Sequence, residues 1–291
     1  MASRHVGLAS LLLASILPVH ADLTGAALVR PVLNSKSAQL MNTPRPLFFS
    51  DLVAFNTEQH RSLTLPAQRK SFEFAATAHM LPLTIAEVAL AAHHYPVVFV
   101  TEGDNVVVVA LTGLPNAGNR FVDAKGEWRP GTYIPAYVRG YPFIAVRTAK
   151  DAEHIIAFDP NAADFKTKDG VPLLGSDEQP TEQLKGILAF HAEYQGLLTR
   201  THQMAEALKT EGVLEEAQLN IMGPDGKPNH IGGFLIVNEG KLRALPADAL
   251  KRLMDADAIG LTYTHLFSMS NLNQLLSESP TTTKSRRQSG K

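Results

Sequence analysis

The sequence predicts an α+β fold with an antiparallel or mixed sheet, one long amphipathic helix and short C-terminal helices. In the first half of the chain, short β-branched runs separated by turn residues are typical of strands. In the second half, apolar residues recur at steps of three and four, which is the period of a helix with one buried face. Because strands and helices are segregated and do not alternate, their order favours an antiparallel or mixed sheet over a parallel doubly wound one.

The N-terminal residues have the layout of a secretory signal peptide. A basic start at Arg4 is followed by an uncharged apolar run over residues 6–17, and small residues precede Asp22. This order predicts a signal peptide over residues 1–21 and export to the periplasm or cell surface. The run is shorter than the about 20 residues that a membrane span needs, so no transmembrane span is predicted in the mature chain. The alternatives are a buried N-terminal helix or a true start at Met41, which would leave the protein cytoplasmic.

Turn and linker residues flank a predicted domain over residues 47–276. Within residues 22–46, the stretches 34–37 and 43–46 have the composition of turns and linkers, so the segment is predicted to be a linker. Residues 277–291 contain a threonine run and several basic residues but little to bury. We therefore expect this end of the chain to be a disordered tail.

Short strands are predicted through the first half of the domain. The runs over residues 96–100 and 106–111 are apolar without interruption, which suits strands covered on both faces. Residues 143–146 and 154–158 are further strand candidates. A helix is predicted over residues 84–94, with Thr84 as its N-cap.

A long helix is predicted from Thr181 to about Thr210, closed by Gly212. Apolar and weakly polar residues form one stripe along it, and we expect Leu198, in the middle of that stripe, to be buried. The stripe consists of Leu184, Ile187, Leu188, His191, Tyr194, Leu198, Thr201, Ala205 and Leu208.

A hairpin and short helices follow. Residues 219–221 and 234–237 bracket a Pro-Asp-Gly turn, which is the pattern of a β-hairpin. The adjacent Gly232 and Gly233 predict a bulge or a close backbone approach. Residues 246–254 predict a short helix with a proline at its start.

Several stretches, taken in order, are similar to one known family. They are residues 47–49, 53–56, 60–61, 82–83, 94–99, 119–123, 126–128, 133–143, 245–246, 265–268 and 271–272. On these stretches, residues 47–276 resemble the SapC family of bacterial surface-layer-associated proteins. The resemblance implies a role at the bacterial surface, and it supplies no catalytic residues to transfer.

The densest group of candidate binding residues lies within residues 128–143. Pro135 and Gly140 fit the two ends of a single helical turn that carries Arg139. Since recognition surfaces favour tyrosine and arginine, we interpret this group as a site for a peptide or a glycan. The alternative is a packed core corner in which Arg139 satisfies carbonyl groups. The predicted ligand-binding residues are Trp128, Tyr137, Arg139, Tyr141 and His94.

Composition and motifs narrow the classes of partner. The net charge of −1 offers no basic field for nucleic acid, and the absence of cysteine excludes disulfides and thiolate metal sites. The sequence contains no paired-ligand metal signature, no glycine-rich phosphate loop and no G-x-S-x-G nucleophile motif. No metal and no cofactor are therefore predicted.

Two functions fit these patterns. The favoured one is a non-catalytic envelope or surface protein that assists export, assembly or retention of a surface component, or binds a peptide or glycan. Its partner would be an envelope peptide, protein or glycan. The alternative is a hydrolase-like envelope enzyme without a recognisable motif. Convergence of His94, Asp123 and Arg139 in one cleft would favour the enzyme, whereas aromatic residues along an open groove would favour the binding protein.

Overall fold

The computed structural model describes residues 29–30, 45–115, 117–147, 154–167, 169–222 and 228–277. Its helices and mainly antiparallel strands confirm the predicted α+β class, the long helix and the short C-terminal helices. The predicted signal peptide over residues 1–21 lies outside the described residues, as do residues 278–291 of the predicted tail. No helix in the described ranges is long and apolar enough to cross a membrane.

A five-stranded antiparallel sheet lies in the largest apolar core. Side by side, its strands are β12 (Leu214–Met222), β13 (Pro228–Val237), β5 (Val97–Glu102), β6 (Asn105–Leu111) and β4 (Met80–Pro82). In β5 and β6, consecutive residues from Val97 to Val100 and from Val106 to Leu111 are buried. Because successive side chains of a strand point to opposite faces, both faces are covered, as the two apolar runs predict.

The hairpin of β12 and β13 contains the predicted bulge. Ala217 pairs with Phe234, whereas Leu219 pairs with Ile231. Two residues of β13, the adjacent glycines, therefore oppose one residue of β12. Gly233 has φ of +86°, in the left-handed region that glycine adopts at no steric cost.

The remaining strands form smaller sheets. In one of them, β10 (His154–Phe158) pairs antiparallel with β9 (Phe143–Arg147) and with β2 (Val53–Ala54), and parallel with β1 (Val29–Arg30). The residues of β1 belong to the segment that the sequence assigns to a linker. The two-stranded pairs are β3 (Thr64–Leu65) with β11 (Val171–Pro172), and β7 (Gly113–Leu114) with β8 (Gly118–Asn119).

The long helix α3 (Glu182–Thr210) begins where Thr181 accepts a hydrogen bond from the amide of Leu184 at 3.5 Å. It ends before Gly212, which has φ of +68°. Leu198 is 2% exposed, as predicted, and most of the stripe is buried with it, whereas Ile187 and Leu188 are half-buried. Three apolar clusters contain residues of α3, so this helix joins the parts of the domain.

The other helices are short. They are α1 (Ile85–Ala91), α2 (Ala136–Gly140), α4 (Glu239–Arg243), α5 (Ala247–Asp255), α6 (Ala258–Ser268) and α7 (Asn271–Ser277), with 3₁₀ turns at Glu73–Ala75 and Ala163–Lys166. Thr84 lies at the N-cap position of α1 as predicted, and its amide donates to the side chain of Glu87, as in a capping box. The helix ends three residues before the predicted limit at His94. Pro96 follows closely, and a proline disfavours helical geometry in the residue before it.

Candidate functional site

A cleft of about 320 Å³ lies between the C-terminal end of α2 and the first half of α3. Arg69, Arg139 and Asp164 supply its charged groups. Ile187 and Phe190 of α3 contribute to its apolar wall. These residues are distant in sequence, so the cleft forms only when α3 packs against α2 and the neighbouring loops.

A proline and a glycine set the two ends of α2, as predicted. The carbonyl of Pro135 accepts hydrogen bonds from the amides of Val138 at 3.0 Å and Arg139 at 3.1 Å. At the other end, a Cβ added to Gly140 would lie only 2.9 Å from Cε1 of His191. Because glycine leaves this space open, α3 approaches α2 closely and closes one side of the cleft.

Arg69 is the arginine that holds the cleft walls together. Its Nε and Nη2 atoms donate to Oδ2 of Asp164 at 3.0 and 2.8 Å. It also donates to the carbonyls of Val138, at 3.0 Å, and Tyr141. Its guanidinium carbon lies 5.3 Å from the centroid of the Phe74 ring. The side chains of Arg69 and Asp164 are only 16% and 15% exposed, so this ion pair is largely buried and well satisfied.

Arg139 has a different environment at the rim of the same cleft. Its guanidinium carbon lies 5.8 Å from the ring centroid of Tyr133 and 5.6 Å from that of Phe190. Its Nε donates to the carbonyl of Ile134 and its Nη2 to the hydroxyl of Tyr133, both at 3.2 Å. Within the part of the chain that the structure describes, Arg139 forms no ion pair and its Nη1 group donates no hydrogen bond. The side chain is exposed but held in place, with donors left for a ligand.

A buried carboxylate supports the position of Arg139. Glu87 accepts hydrogen bonds from the amide of Thr84 at 2.9 Å and from the amide of Ala136 at 2.6 Å. It also accepts one from the hydroxyl of Tyr133 at 3.1 Å, and that hydroxyl accepts from Arg139. Burial raises the pKa of the Glu87 carboxyl, and these hydrogen bonds oppose the rise. The network therefore connects the starts of α1 and α2 to the cleft rim.

His191 and Tyr194 line a smaller pocket of about 10 Å³ that adjoins the cleft beside Phe190. Burial lowers the pKa of His191 to about 4, because a low-dielectric environment disfavours the charged imidazolium. The hydroxyl of Tyr194 is buried and has no hydrogen-bond partner among the described residues. At neutral pH, His191 therefore contributes no positive charge to the cleft. Because Arg69 is paired with Asp164, Arg139 is the cation of the cleft that can bind a ligand.

The other aromatic residues of the predicted site lie in the core. Tyr137 is 8% exposed, and its hydroxyl donates to the carbonyl of Leu47 at 3.1 Å. Tyr141 stacks on Phe74 at a centroid distance of 4.1 Å, and its carbonyl accepts a hydrogen bond from Arg69 at the cleft. Trp128 is 7% exposed and packs against an aromatic ring of the same core. The rings that Arg139 contacts are instead those of Tyr133 and Phe190, because α2 directs its side chain towards α3.

The structure does not bring His94, Asp123 and Arg139 together at the cleft. His94 lies in the turn after α1, where burial and the neighbouring His93 lower its pKa. Asp123 accepts hydrogen bonds from the amides of Lys125 and Glu127, both at 2.9 Å, and so organises a turn. Of the three residues, only Arg139 lines the cleft. Among the described residues, no group of three His, Cys, Asp or Glu side chains could hold a metal ion.

Sequence reasoning missed Arg69, Asp164 and Phe190 as cleft residues. Arg69 and Asp164 lie in loops without a periodic pattern, and they meet only through tertiary packing. Phe190 did carry a signal, because it is a large apolar residue of α3 outside the predicted stripe. An aromatic residue off the buried face of an amphipathic helix indicates a second contact surface.

The C-terminal helices are tied to the central sheet and to the end of α1 by side-chain hydrogen bonds to backbone groups. Nδ1 of His265 lies 2.6 Å from the carbonyl of Val97, and its Nε2 accepts from the amide of Val237 at 3.1 Å. The hydroxyl of Ser268 accepts from the amide of Val97 at 2.8 Å. The amide group of Asn271 donates to the carbonyl of Ala92 at 2.6 Å. These contacts give a structural role to residues that carry the family resemblance.

The comparisons with known proteins identify one family. Its model, described as SapC, matches residues 55–275 of the chain. No curated protein and no solved structure matches the chain. The matched span includes the cleft residues and the contacts between α6 and the central sheet.

Proposed function

The chain belongs to the SapC family, and from this premise we propose that it is an exported, non-catalytic binding protein of the bacterial envelope. In this proposal it holds a peptide or glycan in the cleft between α2 and α3. It would thereby assist the export, assembly or retention of a surface component. The observation that carries the proposal is the exposed guanidinium of Arg139, which is held between two rings with donors left over.

Binding is favoured over catalysis by the state of the cleft's titratable groups. Asp164 is engaged by Arg69, and the lowered pKa of His191 belongs to a buried imidazole rather than to a solvent-facing base. A catalytic cleft needs a nucleophile or a base placed against the reacting atom. The residues that line this cleft include no serine, threonine or cysteine.

The proposal of export rests on the sequence of residues 1–21. A basic start, an apolar run and small residues before Asp22 follow one another in the order that signal peptidases recognise. An exported binding protein would meet envelope peptides and glycans on the same side of the membrane.

A pair of glycines on α3 allows a direct test of the cleft. Gly186 lines the cleft and Gly196 does not, and both are exposed. A Cβ at either position would meet no heavy atom within 4 Å. Gly186→Trp should therefore obstruct the cleft without disturbing the core, and Gly196→Trp should serve as its matched control.

The test screens the purified protein against arrays of synthetic peptides and of bacterial glycans. We expect the wild type and Gly196→Trp to bind the same probes, and Gly186→Trp to lose them. Thermal melts of both variants check that the fold is retained. An array without any bound probe, or a probe that Gly186→Trp binds as well as the wild type does, would contradict the proposal.

A further inference from the structure

We infer that the cleft binds the free C-terminal carboxylate of an extended peptide whose last side chain is apolar, with Arg139 as the carboxylate-binding residue. This inference rests on the proposed binding function and names the ligand class for the same cleft.

The negative charge of the proposed ligand is inferred from the hydrogen bonds that the two arginines of the cleft already make. Arg69 uses Nε, Nη1 and Nη2 for hydrogen bonds to Asp164 and to backbone carbonyls, so it has little capacity for a ligand. Arg139 has no carboxylate partner within the described ranges, and its Nη1 group is unused there. A guanidinium presents paired donors that match the two oxygens of a carboxylate. The cleft therefore offers one site for one planar anion.

The position of this guanidinium is already set before a ligand arrives. The rings of Tyr133 and Phe190 lie within 6 Å of its central carbon, and two hydrogen bonds fix Nε and Nη2. A side chain that is held in its binding geometry loses less conformational entropy on binding than a mobile one. The buried Glu87 adds to this order, because it accepts the hydrogen bond of the Tyr133 hydroxyl.

The walls of the cleft favour a peptide end over a sugar. The lining residues include Leu65, Ile187 and Phe190, which suit an apolar side chain of the ligand. A sugar ring carries several hydroxyl groups, and each needs a polar partner when it is buried. Of the charged and amide side chains that line the cleft, Arg69 and Asp164 engage each other. Arg139 keeps free donors, and Oε1 of Gln183 is a buried acceptor without a partner among the described residues. These two side chains are fewer than the hydroxyl groups of a sugar ring. Its volume of about 320 Å³ is at the lower end of ligand pockets, which suits the last one or two residues of a peptide.

The test compares two fluorescein-labelled hexapeptides that end in leucine, one as the free acid and one as the C-terminal amide. Anisotropy titrations are run with the wild type, Arg139→Gln and Arg139→Lys. Arg200→Gln is the matched control, since Arg200 is an exposed arginine of α3 that pairs with Asp257 and does not line the cleft. Melting curves establish that each variant is folded.

We expect the wild type and Arg200→Gln to bind the acid at least about 10-fold more tightly than the amide, the scale of one charge-assisted hydrogen bond. Arg139→Gln should bind both peptides equally weakly, and Arg139→Lys should recover only part of the preference. Equal binding of acid and amide by the wild type overturns the inference, as does a preference that survives in Arg139→Gln.

The proposed function and this inference fail in different ways. If Gly186→Trp abolishes binding of the peptides but amidation has no effect, the cleft binds ligands, and only the inference that it recognises the C-terminal carboxylate is wrong. If the wild type binds a uronic-acid oligosaccharide and neither peptide, the cleft is a glycan site and the inference is overturned. If no peptide or oligosaccharide binds to the wild type, both are wrong.

Discussion

At the scale of single residues, the two arginines of the cleft differ in how many of their donors the protein itself uses. Arg69 is largely buried and links Asp164 to the carbonyls at the end of α2 through its hydrogen bonds. Arg139 is exposed and keeps unused donors among the described residues. The sequence draws attention to Arg139 because it lies among tyrosines. The alternative role considered for Arg139, that of satisfying carbonyl groups in a packed core, belongs mainly to Arg69.

This difference predicts that replacing Arg69 costs much more stability than replacing Arg139. Arg69→Ala leaves the Asp164 carboxylate and two carbonyls without their partner, so we expect the free energy of unfolding to fall by about 3–5 kcal/mol. Arg139→Ala removes an exposed side chain and should change it by no more than about 0.5 kcal/mol. Urea denaturation of the two variants measures both values. Equal losses of unfolding free energy in the two variants would show that Arg139 also has a structural role.

His191 predicts a dependence of stability on pH. Its pKa falls from 6.5 to about 4 on folding because the imidazole is buried. At about 1.4 kcal/mol per pKa unit, this corresponds to about 3 kcal/mol. Since the folded pKa is the lower one, the unfolded state binds the proton more tightly. The stabilisation is present above pH 6.5 and is lost as the pH falls towards 4.

The measurement is the urea-unfolding free energy of the wild type and of His191→Gln between pH 7 and pH 4. We expect the wild type to lose more stability over this range than the variant does, by up to about 3 kcal/mol. The pH dependence of the unfolding free energy that remains in the variant comes from other groups. One of them is the buried His265, whose pKa is also lowered by burial. Parallel curves for the two proteins would show that His191 is not a buried neutral imidazole.

At the scale of secondary structure, α6 completes the hydrogen bonding of β5. The amide and carbonyl of Val97 at the start of β5 are met by Ser268 and His265. The neutral imidazole of His265 donates from Nδ1 and accepts at Nε2, so it joins β5 to β13 next to their single paired position, Leu235 with Phe99. The helix thus supplies hydrogen bonds to backbone groups of both strands, at Val97 and Val237.

Two serines near the end of α6 test this role. Ser268→Ala leaves the buried amide of Val97 without an acceptor and should cost about 1–3 kcal/mol. Ser270→Ala is the control, because Ser270 is exposed and its hydroxyl contacts only the nearby carbonyl of Phe267. Chemical denaturation should place Ser270→Ala within about 0.5 kcal/mol of the wild type. An equally small effect of Ser268→Ala would refute the tie between α6 and β5.

The elements that the sequence predicts well are those whose signal is local. The β-branched runs of β5 and β6, the stripe and caps of α3, and the proline and glycine that bound α2 all act over a few neighbouring residues. The contacts that build the site are not local. Arg69 reaches a carbonyl 69 residues later in the chain, and Ser268 reaches an amide 171 residues earlier. A single sequence contains no period or cap that records such pairs.

At the scale of the whole molecule, α3 connects the large core to the cleft. Its C-terminal half contributes Met204 and Leu208 to the cluster around the five-stranded sheet, and its N-terminal half contributes Leu184 to a cluster around β9 and β10. The cleft lies against the N-terminal half. A ligand in the cleft would therefore contact a helix whose other end is anchored in the main core.

The proposed export also concerns the whole molecule, and it predicts a defined N-terminus. If residues 1–21 are a signal peptide, as their order of regions predicts, cleavage is expected before Asp22. Intact-mass analysis of the protein from its native host should show a chain that lacks residues 1–21. An uncleaved chain in the cytosolic fraction would contradict export.

The most direct test of the account is to locate a bound peptide on the molecule. Titration of the ¹⁵N-labelled protein with the leucine-ended free-acid peptide should shift the amide resonances of Gly140, Gly186 and His191, around the cleft. The resonances of α5 and α6, whose residues do not line the cleft, should stay in place. Shifts at both cleft walls that disappear in Gly186→Trp are the predicted result. Shifts confined to the C-terminal helices, or a spectrum that the peptide leaves unchanged, would contradict the claim that this cleft is the binding site.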